Sequence, residues 1–164
     1  MIAQTSVLDG VPVVVENARP GDLDQLIAFA QKLSPASQQE RFFAVLNADA
    51  VASEMRNEMT ESRNLSLLAR RARDGRVLGH ALGAVTGRDR AEVAFTVADE
   101  ARHHGVGTLL LRSLMTELRD RGVHHFEAVT QFDNRAMLRI FEDAGFRFSP
   151  ELGCVEAHLD DPVP

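Results

Sequence analysis

The first third of the chain combines one β-branched run with several stretches of helical periodicity. Residues 11–17 (VPVVVEN) predict a strand, because valine-rich runs favour extended backbone. Apolar residues recur at helical spacing over residues 23–33, and Ser34-Pro35 is expected to end that helix. Residues 38–43 and 48–59 predict two further short helices.

The middle of the chain has the pattern of short strands joined by tight turns. Residues 65–71, 77–85 and 91–98 are apolar runs of strand length. Asp74-Gly75 separates the first two runs, and an Asp-Gly pair is a strong signal for a tight turn. These three strands are therefore predicted to form an antiparallel meander.

The last third alternates strands and helices. Residues 105–122 and 134–144 predict amphipathic helices on either side of a strand at 125–130, and two short strands, FRFS and CVEAHLD, follow. A helix between strands 91–98 and 125–130 implies that these two strands are parallel. We predict one α/β domain over residues 1–164, with a mixed, mostly antiparallel central sheet of six to seven strands flanked by helices.

Charge and composition narrow the classes of function. The net charge of −6 argues against non-specific binding to nucleic acid, which needs a basic surface. The N-terminal segment lacks the regions of a signal peptide, and no apolar run reaches the roughly 20 residues of a membrane span. We expect a cytoplasmic protein without nucleic-acid or membrane partners. The only cysteine, Cys154, excludes an intrachain disulfide and a cysteine zinc cluster.

The loop ARHHGVG, residues 101–107, lies between a predicted strand and a predicted helix. The first N–H groups of a helix lack partners within it, and glycine lets an anion approach the backbone closely. Arg102, Gly105 and Gly107 therefore suit a pyrophosphate, although a simple tight turn also explains the glycines. The adjacent side chains of His103 and His104 diverge, so we expect no metal site here.

This loop and a later helix together resemble the GNAT superfamily of acyl-CoA-dependent N-acyltransferases. Members carry an arginine or glutamine, two residues, a glycine, one residue, and a glycine or alanine, which are Arg102, Gly105 and Gly107 here. A second motif begins at Asn134 and ends at Gly145-Phe146. The predicted order of strands and helices also fits, so the resemblance covers essentially the whole chain.

Two shorter segments narrow the resemblance. Residues 33–43 (LSPASQQERFF) and 91–99 (AEVAFTVAD) are similar to the bacterial protein-lysine acetyltransferases that modify acyl-CoA synthetases. The resemblance thus implies transfer of an acetyl group from acetyl-CoA, as co-substrate, to an amine. A protein lysine is the first choice of acceptor and a small-molecule amine the second, in a protein that is a monomer or a homodimer.

The resemblance also implies which residues contact the acyl-CoA. A strand segment would lie along the acyl-pantetheine arm, the glycine loop would hold the pyrophosphate, and an asparagine would bond the pantetheine. The implied set is Phe95, Thr96, Val97, Arg102, His103, His104, Gly105, Val106, Gly107, Thr108, Asn134 and Phe141.

Glu92 is the candidate general base. It shares one face of its predicted strand with Ala94 and Thr96, and it is the only charged side chain in that run. Similar lysine acetyltransferases use the glutamate at this place as the base, directly or through water, although a charge at a strand end can also simply face solvent. Weaker candidates for the same role are His80, Asp99, Glu100 and Glu127.

The chain has no tyrosine, which affects the expected chemistry. Many relatives have a tyrosine acid where this chain has Phe141, and phenylalanine cannot donate a proton. The thiolate would then leave unassisted, or take its proton from water. The missing acid also leaves open a second class of function, a non-catalytic acyl-CoA-binding sensor.

Overall fold

The computed structural model describes residues 3–162, and one mixed sheet runs through them. Its strands are β1 (Gln4–Leu8), β2 (Val11–Asn17), β3 (Leu65–Arg71), β4 (Val77–Val85), β5 (Arg90–Val97), β6 (His125–Thr130), β7 (Arg147–Glu151) and β8 (Cys154–Asp160). They lie in the order β1-β2-β3-β4-β5-β6-β8-β7. The helices are α1 (Leu23–Gln31), α2 (Pro35–Phe42), α3 (Ala48–Thr60), α4 (Val106–Asp120) and α5 (Arg135–Asp143).

The predicted α/β architecture is confirmed. Strands β3, β4 and β5 form the expected antiparallel meander, and β5 pairs in parallel with β6 after the chain has passed through α4. The described sheet has eight strands instead of six to seven, because β1 was not predicted. An Asp9-Gly10 turn with φ values of 48° and 80° joins β1 to β2.

Ser34-Pro35 has a different role from the predicted one. Helix α1 already ends at Gln31, and Ser34 instead caps the start of α2, where its Oγ accepts a hydrogen bond from Ser37 N at 3.2 Å. Pro35 occupies the first position of α2, where its missing N–H costs no hydrogen bond. The serine-proline pair therefore begins a helix that is three residues longer at its start than the prediction.

Helix α4 covers one face of the sheet and packs against β2 to β5. Two glycines of β4 make room for it. A Cβ on Gly79 would lie 2.7 Å from Leu110 Cδ1, and one on Gly83 would lie 2.8 Å from Leu118 Cδ1. Because no larger residue fits at either position, α4 lies close to the sheet and its first turn is held against β5.

The opposite face is covered over only part of its width. Helix α1 packs against α3 and β4, and α2 packs against β5. Beyond β5, the side chains of β6 that point to this face are half-buried or exposed, and Val129 is 41% exposed. The layer formed by α1 to α3 therefore extends no further than β5 and leaves this face of β6, β8 and β7 uncovered.

None of the helices between residues 3 and 162 is long and apolar enough to cross a membrane. The Cys154 thiol is free and half-buried at the start of β8. Over the same described residues, no three His, Cys, Asp or Glu side chains are grouped as a metal site would require.

Candidate active site

Strands β5 and β6 separate after a short parallel contact. Arg90, Ala91 and Glu92 pair with His125, Phe126 and Glu127, whereas the pairing of β5 with β4 continues to Val97. From Val93 to Val97, the edge of β5 that faces β6 consequently has no strand partner within residues 3–162. Unpaired backbone N–H and C=O groups on such an edge can bond a ligand that contains amides.

A cleft of about 320 Å³ opens beside this edge and continues to the start of α4. Ten of the expected acyl-CoA contacts line it: Phe95, Thr96, Val97, Arg102, His103, Gly105, Val106, Gly107, Thr108 and Asn134. Its remaining walls come from α2, α5 and Ala101. The glycine loop, the β5 edge and Asn134 are thus brought together in one cleft, as the resemblance implied.

The floor of the cleft is the N-terminus of α4. Gly105 precedes the helix with φ of 84°, a left-handed conformation that favours glycine, and no side chain caps this end. The first helical hydrogen bond runs from Leu109 N to Gly105 O at 3.0 Å, so the N–H groups of Val106, Gly107 and Thr108 have no partner in the helix. Together with the helix dipole, these N–H groups suit an anion such as a pyrophosphate.

Gly107 is packed against two side chains. A Cβ at this position would lie 3.0 Å from Phe95 Cε2 and 3.1 Å from Ile140 Cδ1. These distances leave little space for any side chain, so glycine brings the first turn of α4, β5 and α5 together at the base of the cleft.

Arg102 lines the cleft, but its guanidinium is bonded to α2. It donates to Glu40 Oε2 at 2.5 Å and to Ser37 Oγ at 3.0 Å. Asp99 makes a second connection, because its carboxylate accepts from Ser34 N at 3.0 Å, Ser34 Oγ at 2.9 Å and Ser37 Oγ at 2.6 Å. Burial acts to raise the pKa of Asp99, but hydrogen bonds from Ser37 and Ser34 outweigh it and hold the pKa below its usual value.

Two of the expected contacts lie outside this cleft. The Nδ1 atom of His104 is 2.7 Å from Asp9 Oδ2, in the turn between β1 and β2, and its ring lines a different cavity. Phe141 is only 2% exposed, because its ring packs between Phe95 and Phe146 at centroid distances of 5.7 and 4.9 Å. Phe141 therefore supports the cleft from behind Phe95.

Asn134 serves both the fold and the cleft. Its Oδ1 accepts a hydrogen bond from Met137 N at 3.2 Å and so caps α5. Its Nδ2 makes no hydrogen bond to any residue between 3 and 162 and remains available to a ligand in the cleft.

Glu92 is the last residue of β5 to pair with β6 and lies where the two strands separate. Its side chain is exposed, and no hydrogen bond or ion pair joins it to another residue of the described chain. It is three residues from Phe95, about 10 Å along the strand, and so lies beyond the end of the cleft. A carboxylate without a protein partner at this place can accept a proton from an incoming amine.

The weaker candidates for the base are all engaged elsewhere. Glu127 pairs with Arg90, Glu100 pairs with Arg76, and the Asp99 carboxylate is occupied by the serines of α2. His80 is 1% exposed and its Nε2 lies 2.7 Å from Ser66 Oγ. Burial, with a smaller contribution from Arg41, lowers the pKa of His80 to about 3.

No local motif predicted the buried ion pair between α2 and α3. Arg41 Nη2 lies 2.5 Å from Glu58 Oε1, and both side chains are less than a tenth exposed. Burial raises the pKa of Glu58, although Arg41 acts in the opposite direction. Arg41 Nε and Glu58 Oε2 have no hydrogen-bond partner among the described residues. Since Arg41 also lines the cleft, this pair connects the cleft wall to the helices behind it.

The other residues that the prediction missed come from α2, from α5 and from the segment just before Arg102. They are Glu40, Ala101, Ala136, Met137, Arg139, Ile140 and Asp143. Those on α5 lie within the first three helical turns after Asn134, so the predicted helix could have supplied them. Glu40 reaches the cleft through the packing of α2 on β5, which no local motif predicts.

Comparison with known proteins agrees with this arrangement. A sequence model of the acetyltransferase (GNAT) family matches residues 26–146. Acetyltransferase Pat of Mycolicibacterium smegmatis (strain ATCC 700084 / mc(2)155) is 28% identical over 146 residues, which are 87% of this chain and 44% of that protein. The chain thus spans less than half the length of this curated relative.

Solved structures extend the comparison. The crystal structure of the GNAT domain of S. lividans PAT has 27% identity and a TM-score of 0.83, and the match covers 96% of both chains. A cAMP-binding acyltransferase from Mycobacterium smegmatis has 24% identity and a TM-score of 0.67, over 98% of this chain and 48% of that one, which shows a shared fold. With a family model over most of its length and the glycine loop, β5 edge and α5 cap in one cleft, this chain belongs to the acetyltransferase (GNAT) family.

Proposed function

We propose that the protein transfers an acetyl group from acetyl-CoA directly to a primary amine, and that the amine is a lysine side chain of another protein. The observation that carries this proposal is the separation of β5 from β6 at Glu92, with a cleft leading from there to the bare N-terminus of α4. Resemblance of residues 33–43 and 91–99 to protein-lysine acetyltransferases supports lysine as the acceptor.

Different residues of the cleft bind different parts of acetyl-CoA. The N–H groups of Val106, Gly107 and Thr108 receive the pyrophosphate, and the unpaired edge of β5 bonds the pantetheine amides. Asn134 Nδ2 donates to the same arm. An N–H of β5 near the separation stabilises the negative charge that develops on the thioester oxygen.

Glu92 supplies the base. A lysine amine has a pKa of about 10.4 in water and must lose a proton before its lone pair can attack. In the proposed step, Glu92 takes one proton from the ammonium group, directly or through water, and the neutral nitrogen bonds to the carbonyl carbon. The C–S bond then breaks, and the nitrogen loses its second proton to solvent to leave the amide. The leaving thiolate has a conjugate-acid pKa of about 8.5 and takes its proton from solvent. No side-chain acid is required at Phe141.

The test uses purified protein, acetyl-CoA and lysine-bearing acceptors. We expect release of free thiol and a mass gain of one acetyl group on the acceptor. Absence of both with protein, peptide and small-amine acceptors would contradict the proposal. Tight binding of acetyl-CoA without any turnover would instead support the non-catalytic sensor, and turnover restricted to small amines would make lysine in proteins the wrong acceptor.

A further inference from the structure

Three large apolar side chains are exposed beside the cleft. Phe43 is 43% exposed, Val45 is 60% exposed and Phe132 is 67% exposed. Phe43 and Val45 follow the end of α2, and Phe132 lies two residues before Asn134, so they come from the two segments that border the cleft. We call these three residues the apolar rim. Single exposed apolar residues are ordinary, but a group of them around a cleft is typical of an interaction site.

One carbonyl group connects the two sides of the rim. Gln39 O accepts a hydrogen bond from Phe43 N at 3.0 Å and another from Gln131 Nε2 at 2.9 Å. Phe43 and the residue next to Phe132 are thus bonded to the same atom. Phe43 also has φ of 56°, which is uncommon for a bulky residue and costs free energy. The fold keeps this aromatic ring at the surface despite that cost.

The open part of the sheet next to the rim is acidic. Strand register places Glu92, Glu127, Glu156 and Asp160 on the face that α1 to α3 leave uncovered. On β5, β6 and β8, the only guanidinium that shares this face is Arg90, with His125 and His158 nearby, and Arg147 reaches Asp160 from β7 at 3.4 Å. Arg90 pairs with Glu127, Arg147 and His125 lie next to Asp160, and His158 Nε2 lies 3.3 Å from Glu156 Oε2. With neutral histidines the four carboxylates still exceed the two arginines, and Glu92 has no partner among the described residues, so the face favours a cationic partner at Glu92.

The spacing of these features suits a polypeptide. From Glu127 to the end of β6 at Thr130 the strand advances three residues, about 10 Å, and the turn that carries Phe132 follows. An extended peptide of a few residues spans this distance, whereas a small amine held at Glu92 would not reach the rim.

We propose that the acceptor is a protein segment whose target lysine is flanked by apolar and basic side chains. The apolar side chains pack on Phe43, Val45 and Phe132, and the basic ones face the open acidic sheet. This inference rests on the proposed acetyl transfer and specifies its substrate. It favours a peptide over a small polyamine, because only a peptide uses the rim and the acidic face together.

The test compares a double variant, Phe43→Ser with Phe132→Ser, with Val7→Ser as the matched control. Val7 is 66% exposed but lies on the edge strand β1, four strands away from β5. Three acceptors are used: an eleven-residue peptide with a central lysine between leucines and arginines, the same peptide with serines and aspartates, and Nα-acetyl-lysine amide. We expect wild type to prefer the first peptide.

The double variant should lose at least about tenfold in kcat/KM on that peptide, the scale of aromatic anchors in interfaces. Its kcat/KM on the lysine amide and its acetyl-CoA affinity should match those of wild type and Val7→Ser. Unchanged activity on the first peptide would overturn the inference, and so would an equal loss on the lysine amide.

Binding of a fluorescein-labelled first peptide is measured in parallel, which separates this inference from the proposed function. If wild type transfers acetyl groups to no acceptor, the proposed function fails. Weaker peptide binding by the double variant would still support the docking surface, and equal binding by wild type and the double variant would overturn it.

Discussion

Glu92 and Glu127 are paired residues on neighbouring parallel strands, and they form the last pair before β5 and β6 separate. The two carboxylates differ in their surroundings: Glu127 is neutralised by Arg90, whereas Glu92 has no partner among the described residues. That difference singles out Glu92 as the group that can take a proton from an acceptor amine.

Replacing Glu92 by glutamine should therefore slow turnover by about 100-fold or more, the scale on which a general base contributes. Acetyl-CoA affinity should not change, because Glu92 lies beyond the cleft that we assign to the cofactor. The rate is measured by thiol release and the affinity for acetyl-CoA by calorimetry. Glu61→Gln is the control, because Glu61 is an exposed residue that follows α3. A Glu92→Gln rate equal to wild type would reject Glu92 as the base.

Gly107→Ala tests the close packing at the base of the cleft. The added Cβ would lie 3.0 Å from Phe95 Cε2 and 3.1 Å from Ile140 Cδ1, closer than ordinary van der Waals contact, and should push these side chains apart. We expect a loss of about 1–3 kcal/mol in unfolding free energy, typical of overpacking, and weaker binding of acetyl-CoA. Gly21→Ala is the matched control, since nothing lies within 4 Å of its added Cβ. Wild-type affinity in Gly107→Ala would contradict the assignment of the loop to the cofactor.

The Arg41–Glu58 pair should be costly to break on one side only. Arg41→Met leaves the Glu58 carboxyl buried without its cation, which should lower the unfolding free energy by about 3–5 kcal/mol in urea titrations. The double variant Arg41→Met/Glu58→Leu should lose less than Arg41→Met alone. Arg147→Met is the control, because the 81%-exposed side chain of Arg147 pairs with Asp160 at the surface, where solvent screens the interaction, and its loss should leave stability almost unchanged. Equal losses in the two single arginine variants would contradict burial of the pair.

His80 makes the free energy of unfolding depend on pH in the acid range. Its folded-state pKa is about 3, well below the usual value of about 6.5, because the imidazole is buried. Between these two pH values the unfolded chain binds a proton that the folded protein does not, so the free energy of unfolding falls as the pH falls. The slope from this group is at most about 1.4 kcal/mol per pH unit.

In His80→Gln, urea titrations between pH 6.5 and pH 4 should show a shallower fall in stability than wild type. Glutamine can still bond the Ser66 hydroxyl, so the comparison isolates the titration of the imidazole. Above pH 7 both proteins should show no slope from this position. Parallel pH profiles over the acid range would show that His80 is protonated in the folded state.

Local patterns were sufficient to predict most of the fold. Strand length, the Asp74-Gly75 turn and the helical spacing around the glycine loop all depend on nearby residues, and the structure has each of them. Strand β1 was missed even though Asp9-Gly10 is the same turn signal, because the run before it is short and largely exposed. Ser34-Pro35 was assigned to the wrong helix because proline both follows helices and begins them.

The candidate site likewise contains residues that local motifs predicted and residues whose positions depend on contacts distant in sequence. Gly105, Gly107 and Asn134 belong to local motifs, and the structure brings them into one cleft. The positions of His104 and Phe141 depend on β1 and on ring packing with Phe146, which are contacts distant in sequence. Arg41 and Glu58 are 17 residues apart on different helices, so their pairing requires the folded arrangement of α2 and α3.

The brief contact between β5 and β6 has a thermodynamic consequence. Within residues 3–162, three residue pairs join β5 to β6, and the edge of β5 beyond them lacks the hydrogen bonds that a neighbouring strand would supply. In the proposed complex, the amide-bearing arm of acetyl-CoA supplies those bonds and acts as a substitute strand. Ligand affinity then adds directly to folding stability, by about 2.7 kcal/mol when free acetyl-CoA is at 100 times its Kd. The cofactor would be a structural component of the sheet that leaves after every turnover.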